Sequence, residues 1–325
     1  MKLPDARHPL DAATAAAAFD QLFGRVDEAA AHRFLSAYAD RAATRDELVA
    51  AAGALRSRAR QIAAPDDAID VCGTGGDGQH TLNVSTAVAF VVAACGVPVA
   101  KHGNRAASSR AGAADTLEAL GLDLTRASEA AEDMLASLGI AFLFAPAFHP
   151  ALAPLAPVRR AIGRRTIINL LGPLANPASV RRQLIGVAPA IDVAHYADVF
   201  LALGGERVMV VRSAEGADEL GLEGDNLVHV AGAGLAPAAL DARALGLDPA
   251  PAAALRGGDA KDNARALLGL LSSERGAYRD TVLLNAAAAL LVAGVGGDAA
   301  DALERARGAI DGGGARELLQ RMVAF

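Results

Sequence analysis

The spacing of polar and apolar positions changes character near residue 67. Before it, apolar residues recur every three or four positions, the period of a half-buried helix. Residues 11–23, DAATAAAAFDQLF, open on a capping Asp11 and stop at Gly24. Residues 26–42, VDEAAAHRFLSAYADRA, put Phe34, Leu35 and Tyr38 on one face. Residues 44–63, TRDELVAAAGALRSRARQIA, begin with a capping box, Thr44 with Glu47 three positions on. Short helices with narrow apolar faces must bury them against each other or against a second subunit. Residues 1–66 therefore read as a small all-helical N-terminal domain.

From 67 onward, short apolar runs replace the helical stripe. AIDVC (68–72), VPVAKHG (97–103), IAFLFA (140–145), RQLIGV (182–187) and RVMVVRS (207–213) read as strands. Helical segments separate most of them, near 85–95 and 112–120 among others. Apolar strands alternating with helices predict βαβ units. The fold class is α/β: the helical domain plus a larger α/β domain, 67–325, with a central, mostly parallel sheet flanked by helices. The Pro- and Arg-rich stretch 147–180 breaks the rhythm and is predicted to return to the N-terminal helices as kinked helix. The last part of the chain is helical, as in TVLLNAAAALLVAG (281–294).

Composition adds bounds. Of 325 residues, 53% are nominally apolar but only 4% aromatic, with no Trp, so the core is built from Ala, Leu, Val and Ile. The net charge of −6 argues against a general nucleic-acid binder. Two cysteines, Cys72 and Cys95, are too few for a disulfide scaffold or a Cys-based zinc site. The N-terminus has charges and prolines where a signal peptide needs an apolar run, and the longest apolar stretch, 84–100, is interrupted. A soluble, cytoplasmic protein is expected.

The stretch 73–86, GTGGDGQHTLNVST, carries the chemistry. It leaves a predicted strand end, where ligands of parallel sheets bind. It lacks the Gly-Lys-Ser/Thr ending of a Walker A loop. It approximates the dinucleotide fingerprint only through Gly73, Gly75 and Gly78, and Lys101 and His102 stand where the acidic residue belongs. Glycines still let the backbone aim several N–H groups at an anion, and the following helix adds its positive end. Asn83, Ser85 and Thr86 sit there with donors. A bare strand-to-helix turn is the alternative. A second strand end bears KHGNRAASSRAG (101–112), too dense a mixture of Gly, Asn, His and Ser for a solvated loop alone. Two such ends point to a ligand with more than one phosphate.

DVCGTGGDGQHTLNVSTAVAF followed by KHGNRAASSRAGAADTLEALG resembles the anthranilate phosphoribosyltransferase family. The likeness continues through HPALAPLAPVRRAIGRRTIINLLGPLANP, DEL (218–220), GGDAKDNA and LLNAAAALLVAG, nearly the whole chain in order. It implies the same layout, dimerisation through the helical part, and transfer of a 5-phosphoribosyl group from phosphoribosyl pyrophosphate to anthranilate, the second step of tryptophan biosynthesis from chorismate. It places Gly73, Gly76, Asp77, Thr81, Asn83, Val84, Ser85, Thr86, Lys101, His102, Gly103, Asn104, Arg105, Ala106, Ala107, Ser108, Ser109 and Ala113 at the donor. Gly73, Asn104, His149 and Arg159 are placed at anthranilate, and Ser85, Asp218 and Glu219 at Mg²⁺, with two ions per subunit. No acid–base residue is implied; catalysis is by positioning and electrostatics. Ala113 and Ala106 stand where many members have Ser, and Ala217 where Leu is usual. Two other readings remain: a pyrimidine nucleoside phosphorylase-like enzyme, whose pattern after the second strand is KxSxR rather than KHGNR, and a non-catalytic nucleic-acid-binding relative. A phosphate-binding domain without turnover is a third.

Overall fold

The computed structural model describes residues 3–106, 110–235 and 240–325. Three helices come first: α1 (Ala12–Phe23), α2 (Glu28–Ala37) and α3 (Arg45–Arg56). Asp11 caps α1 through the Thr14 N–H, and Thr44 and Glu47 form both halves of the predicted box on α3. Glu47 does more than cap. Its buried carboxylate also accepts from Arg41, from the Leu10 N–H and from the Tyr38 hydroxyl. One residue thus ties the chain before α1 and the turn after α2 to the start of α3.

The remaining elements are β1 (Ile69–Gly73), α4 (Val84–Ala94), β2 (Val99–Gly103), α5 (Ala113–Ala119), α6 (Leu124–Glu129), α7 (Ala131–Leu138) and β3 (Ile140–Phe144). After them come α8 (Ala145–Phe148), α9 (Ala156–Ile162), β4 (Arg182–Gly186), α10 (Val193–Ala202), β5 (Arg207–Arg212) and β6 (Leu227–Gly232). Four helices close the chain: α11 (Ala260–Leu271), α12 (Ala277–Ala293), α13 (Ala299–Asp311) and α14 (Gly314–Ala324). Among the described residues, none is long and apolar enough to cross a membrane.

The sheet order is β3-β2-β1-β4-β5-β6, all parallel except the β5–β6 pair. Five strands fall where the apolar runs predicted them. The sixth, LVHVAG, was not anticipated: it is an antiparallel edge strand, half-exposed along its length, and so lacks a continuous apolar run. Successive side chains of β4 and β5 alternate between two cores. Leu184, Met209 and Val211 face one built on α4 and α12, while Ile185, Val208 and Val210 face the other with α10. That second core also contains the apolar faces of α1–α3 and, from the returning stretch, Leu155, Val158, Ile167, Ile168, Leu171 and Leu174. The helical part therefore packs on one face of the sheet.

Strand order reverses between β1 and β4. The loop after β1 leads to α4 on one face, and the chain after β4 leads to α10 on the other. Such a switch point leaves a crevice at the carboxyl ends of the strands.

Candidate active site

Gly73 and Gly186 are partners at the ends of β1 and β4, side by side at the switch point. The chain carrying Asp218 lies across both. A Cβ at Gly186 would overlap the Asp218 backbone, and one at Gly73 its carboxylate. The two glycines are therefore what admits Asp218 to the crevice.

The glycine loop closes around that carboxylate. Gly75 N–H donates to Asp218 Oδ2 at 2.7 Å, and Asp218 N–H donates to Asp77 Oδ2 at 3.3 Å. Gly75, Gly76 and Gly78 all have positive φ, 63°, 69° and 78°, which only glycine adopts without strain. Burial first and the Asp77 charge second push the Asp218 carboxyl up to about 6. Glu219, packed beside it, is raised well above the ordinary carboxylate range by burial and by Asp218. Two adjacent carboxylates in such a site call for a cation.

Lys101 supplies one charge. It is 3% exposed and its ammonium donates to the Val71 carbonyl at 2.7 Å and to Ser85 Oγ at 3.2 Å. The structure thus brings Gly73, Asp77, Ser85, Lys101, Asp218 and Glu219 together. Below them Asp70, fully buried in β1, accepts from His102 N–H, Asn176 Nδ2 and Gln183 Nε2. Thr86, in the first turn of α4, has a buried hydroxyl without a hydrogen-bond partner among the described residues, and Val84 at the start of the helix is buried.

Other predicted residues are held by the protein itself. The Asn83 side chain bonds to Ala111 O, Thr116 Oγ1 and Asn263 Nδ2. Thr81 pairs with Arg256 in an isolated bridge. Arg105 is committed to Asp115 and Glu118. Asp115 also accepts from the Ala106 and Gly112 N–H groups, ahead of Ala113 at the start of α5. Exposed Asn104 follows Gly103 and accepts from Arg105 N–H at 2.7 Å. Ala107, Ser108 and Ser109 lie outside the described residues.

On the acceptor side, His102 and His149 are both buried, with ring centroids 5.0 Å apart. His102 Nδ1 lies 2.9 Å from the Gly172 carbonyl. Burial drives the two imidazoles down, His102 to about 3 and His149 to about 4, so both are neutral near pH 7. Arg159 sits on α9, half-buried, its pKa lowered by burial; among the described residues no ion pair or hydrogen bond takes up its guanidinium. A half-buried cation without an acid is a candidate anion receptor. A cavity of about 400 Å³ lies away from the strand ends, between α1, α2 and the 151–158 stretch.

Sequence reasoning passed over Gly186, Asn263 and Arg165. Asn263 belongs to GGDAKDNA, a stretch that carried the family resemblance without an assigned role. Arg165 lies in an arginine-rich run that reads as surface charge; its guanidinium instead donates to the Gly75 carbonyl in the glycine loop.

The family model described as "Glycosyl transferase family, a/b domain" matches residues 65–316. The anthranilate phosphoribosyltransferase of Novosphingobium aromaticivorans is 55% identical over 324 residues, 99% of this chain and 98% of its own. The crystal structure of the Thermus thermophilus anthranilate phosphoribosyltransferase superposes with a TM-score of 0.88 at 39% identity, covering 99% of both chains. The Saccharomyces cerevisiae enzyme, solved in complex with PRPP and Mg, shares the fold at 24% identity and a TM-score of 0.84, over 97% of this chain and 93% of that one. On identity spanning the whole length, this chain belongs to the anthranilate phosphoribosyltransferase family.

Proposed function

We propose that the protein transfers the 5-phosphoribosyl group of phosphoribosyl pyrophosphate to the amine of anthranilate, giving N-(5-phosphoribosyl)anthranilate and pyrophosphate. The observation that carries this reading is the switch-point constellation: a glycine loop whose Gly75 N–H points into the crevice, a buried Lys101 and the Asp218–Glu219 pair on one strand edge. That set suits a pyrophosphate leaving group. As the ribosyl C1–O bond breaks, C1 takes on oxocarbenium character and negative charge moves to the departing oxygens. Lys101 and the loop N–H groups stabilise that charge without a proton transfer. The aniline nitrogen is neutral at pH 7, so its lone pair forms the C1–N bond with no strong base. Its surplus proton then passes to solvent or to pyrophosphate.

Mg²⁺ fits the donors present. Asp218 and Glu219 are hard oxygen ligands, crowded and charge-hungry, with Ser85 alongside. Among the described residues no three His, Cys, Asp or Glu side chains converge as a complete metal centre. That suits an ion that keeps waters and takes its remaining ligands from substrate phosphates. When bound, it would supply further charge neutralisation to the leaving group. Two ions per subunit remain part of the proposal.

Asn104 is assigned between donor and acceptor, and Arg159 to the anthranilate carboxylate, with His102 and His149 nearby. Residues 1–66 with the returning stretch 147–180 are proposed as one domain and 67–325 as the donor-binding domain. The reading extends to a cytoplasmic homodimer joined through the helical part. Sedimentation of the purified protein tests that association.

The test of the activity is a substrate panel. Anthranilate with phosphoribosyl pyrophosphate and Mg²⁺ should release one pyrophosphate per anthranilate consumed. Uridine or thymidine with phosphate should give no free base. Nucleoside phosphorolysis without anthranilate consumption would replace this reading with the phosphorylase one.

A further inference from the structure

Arg165 lies just beyond Gly163, the left-handed residue that ends α9. Two and three positions on, Ile167 and Ile168 bury into the helical core. Its guanidinium turns the other way, to the glycine loop. Nη1 donates to the Gly75 carbonyl and Nη2 to the Thr74 carbonyl at 3.5 Å. Its neighbour Arg164 pairs with Asp40 at 2.7 Å, whereas Arg165 has no carboxylate partner among the described residues.

Peptide geometry gives this contact a consequence. In a trans peptide the C=O and the following N–H point in opposite directions. Holding the Thr74 and Gly75 carbonyls against one guanidinium therefore turns the Gly75 and Gly76 N–H groups away from it. The first of these is seen to point so: it donates to Asp218 Oδ2, inside the crevice. Gly76, with φ of 69°, is in close contact with the guanidinium, and a Cβ there would collide with it. Successive N–H groups facing one way form an anion-binding concavity.

We propose that Arg165 is a positioning residue for the donor: by gripping the Thr74 and Gly75 carbonyls it fixes the Gly75 N–H on the Asp218 carboxylate and turns the Gly76 N–H toward the pyrophosphate, and so ties the helical part of the chain to the donor loop. This rests on the activity proposed above. The residue acts through the loop backbone, so its effect belongs to the donor and not to anthranilate.

The test uses the full-length enzyme with Arg165→Ala, Arg165→Lys, Gly76→Ala and the Arg165→Ala/Gly76→Ala double variant. Calorimetry with inorganic pyrophosphate and Mg²⁺ measures the loop without turnover; steady-state kinetics give KM for each substrate. Arg165→Ala should weaken pyrophosphate and raise the donor KM about tenfold or more, the worth of one or two charge-assisted hydrogen bonds. The anthranilate KM and kcat at saturating donor should stay near wild type. Lysine, a point charge that meets one carbonyl at a time, should fall between. Gly76→Ala should cost less when Arg165 is already removed, because one collision has gone. Unchanged pyrophosphate affinity in a folded Arg165→Ala protein would overturn the proposal. So would a lowered Tm with equal losses for both substrates, which marks a merely structural arginine. A wild-type protein that neither binds pyrophosphate nor turns over would instead overturn the activity itself.

Discussion

At the residue scale, the crevice is shaped by what is missing from two side chains. Gly73 and Gly186 are register partners on adjacent strands, and Asp218 fits only because neither has a Cβ. Gly186→Ala should displace the Asp218 backbone and raise the Mg²⁺ concentration for half-maximal activity, while the anthranilate KM changes little. A magnesium titration of the variant checks this. Arg159 is the complementary case, a half-buried cation without an acidic partner among the described residues. Arg159→Ala should raise the anthranilate KM about tenfold or more, the scale of a lost bidentate carboxylate pair, and leave the donor KM nearly alone. An unchanged anthranilate KM removes Arg159 from the site. The glycine loop and KHGN were legible in the sequence because each is a local cluster of chemically unusual residues; the Asp218–Glu219 pair, an ordinary acidic turn by itself, stood out only through the family resemblance. Gly186 and Arg165 were not. Their roles exist only where remote segments meet, Gly186 under Asp218 and Arg165 against Gly75.

At the element scale, local signals and tertiary ties coincide in α3. The Thr44–Glu47 box was readable from spacing, yet spacing could not show that Glu47 also neutralises Arg41 in the core. Burial alone would raise this carboxyl, but bonds from Arg41 and from the Thr44 and Leu10 N–H groups hold it down to about 2. Glu47→Ala leaves the part-buried Arg41 without its acid and should cost about 3 kcal/mol or more in chemical denaturation. The histidine pair next to β2 and α8 acts in a different pH range. The unfolded chain protonates these imidazoles near 6.5, while the native state keeps them neutral down to about 4 and about 3. Between those limits the unfolded state binds more protons on this pair, so the pair's contribution to stability falls as pH drops from about 6.5 toward 4. Glu47, with its lowered pKa, contributes a loss only below about 4.5. The carboxyls of Asp218 and Glu219, raised in the native state, shift stability the opposite way over part of this range, so the pair is read as a difference. Tm measured from pH 7.5 to 4.5 should fall more steeply in wild type than in His102→Gln/His149→Gln; parallel profiles would contradict the buried neutral pair.

At the scale of the molecule, α1–α3 and apolar residues of the 147–180 stretch share one core with the β4–β5 face of the sheet. Strand positions were readable because each buried strand is a short apolar run bounded by glycine or polar residues. The antiparallel β6 was not, since half-exposure leaves it no such run. The packing of α1–α3 against the β4–β5 face was also invisible, because a helix stripe says that it is buried but not against what. The switch-point crevice, with its carboxylates and glycine loop, is where phosphoribosyl transfer to anthranilate is proposed to take place. The most direct measurement follows the loss of anthranilate fluorescence on adding phosphoribosyl pyrophosphate, at saturating and limiting Mg²⁺, in wild type and in Asp218→Ala/Glu219→Ala. Wild type should consume anthranilate; the double variant should stay folded, turn over far more slowly and need more Mg²⁺. Wild type leaving the fluorescence untouched, or a double variant with full activity at limiting Mg²⁺, would contradict the account.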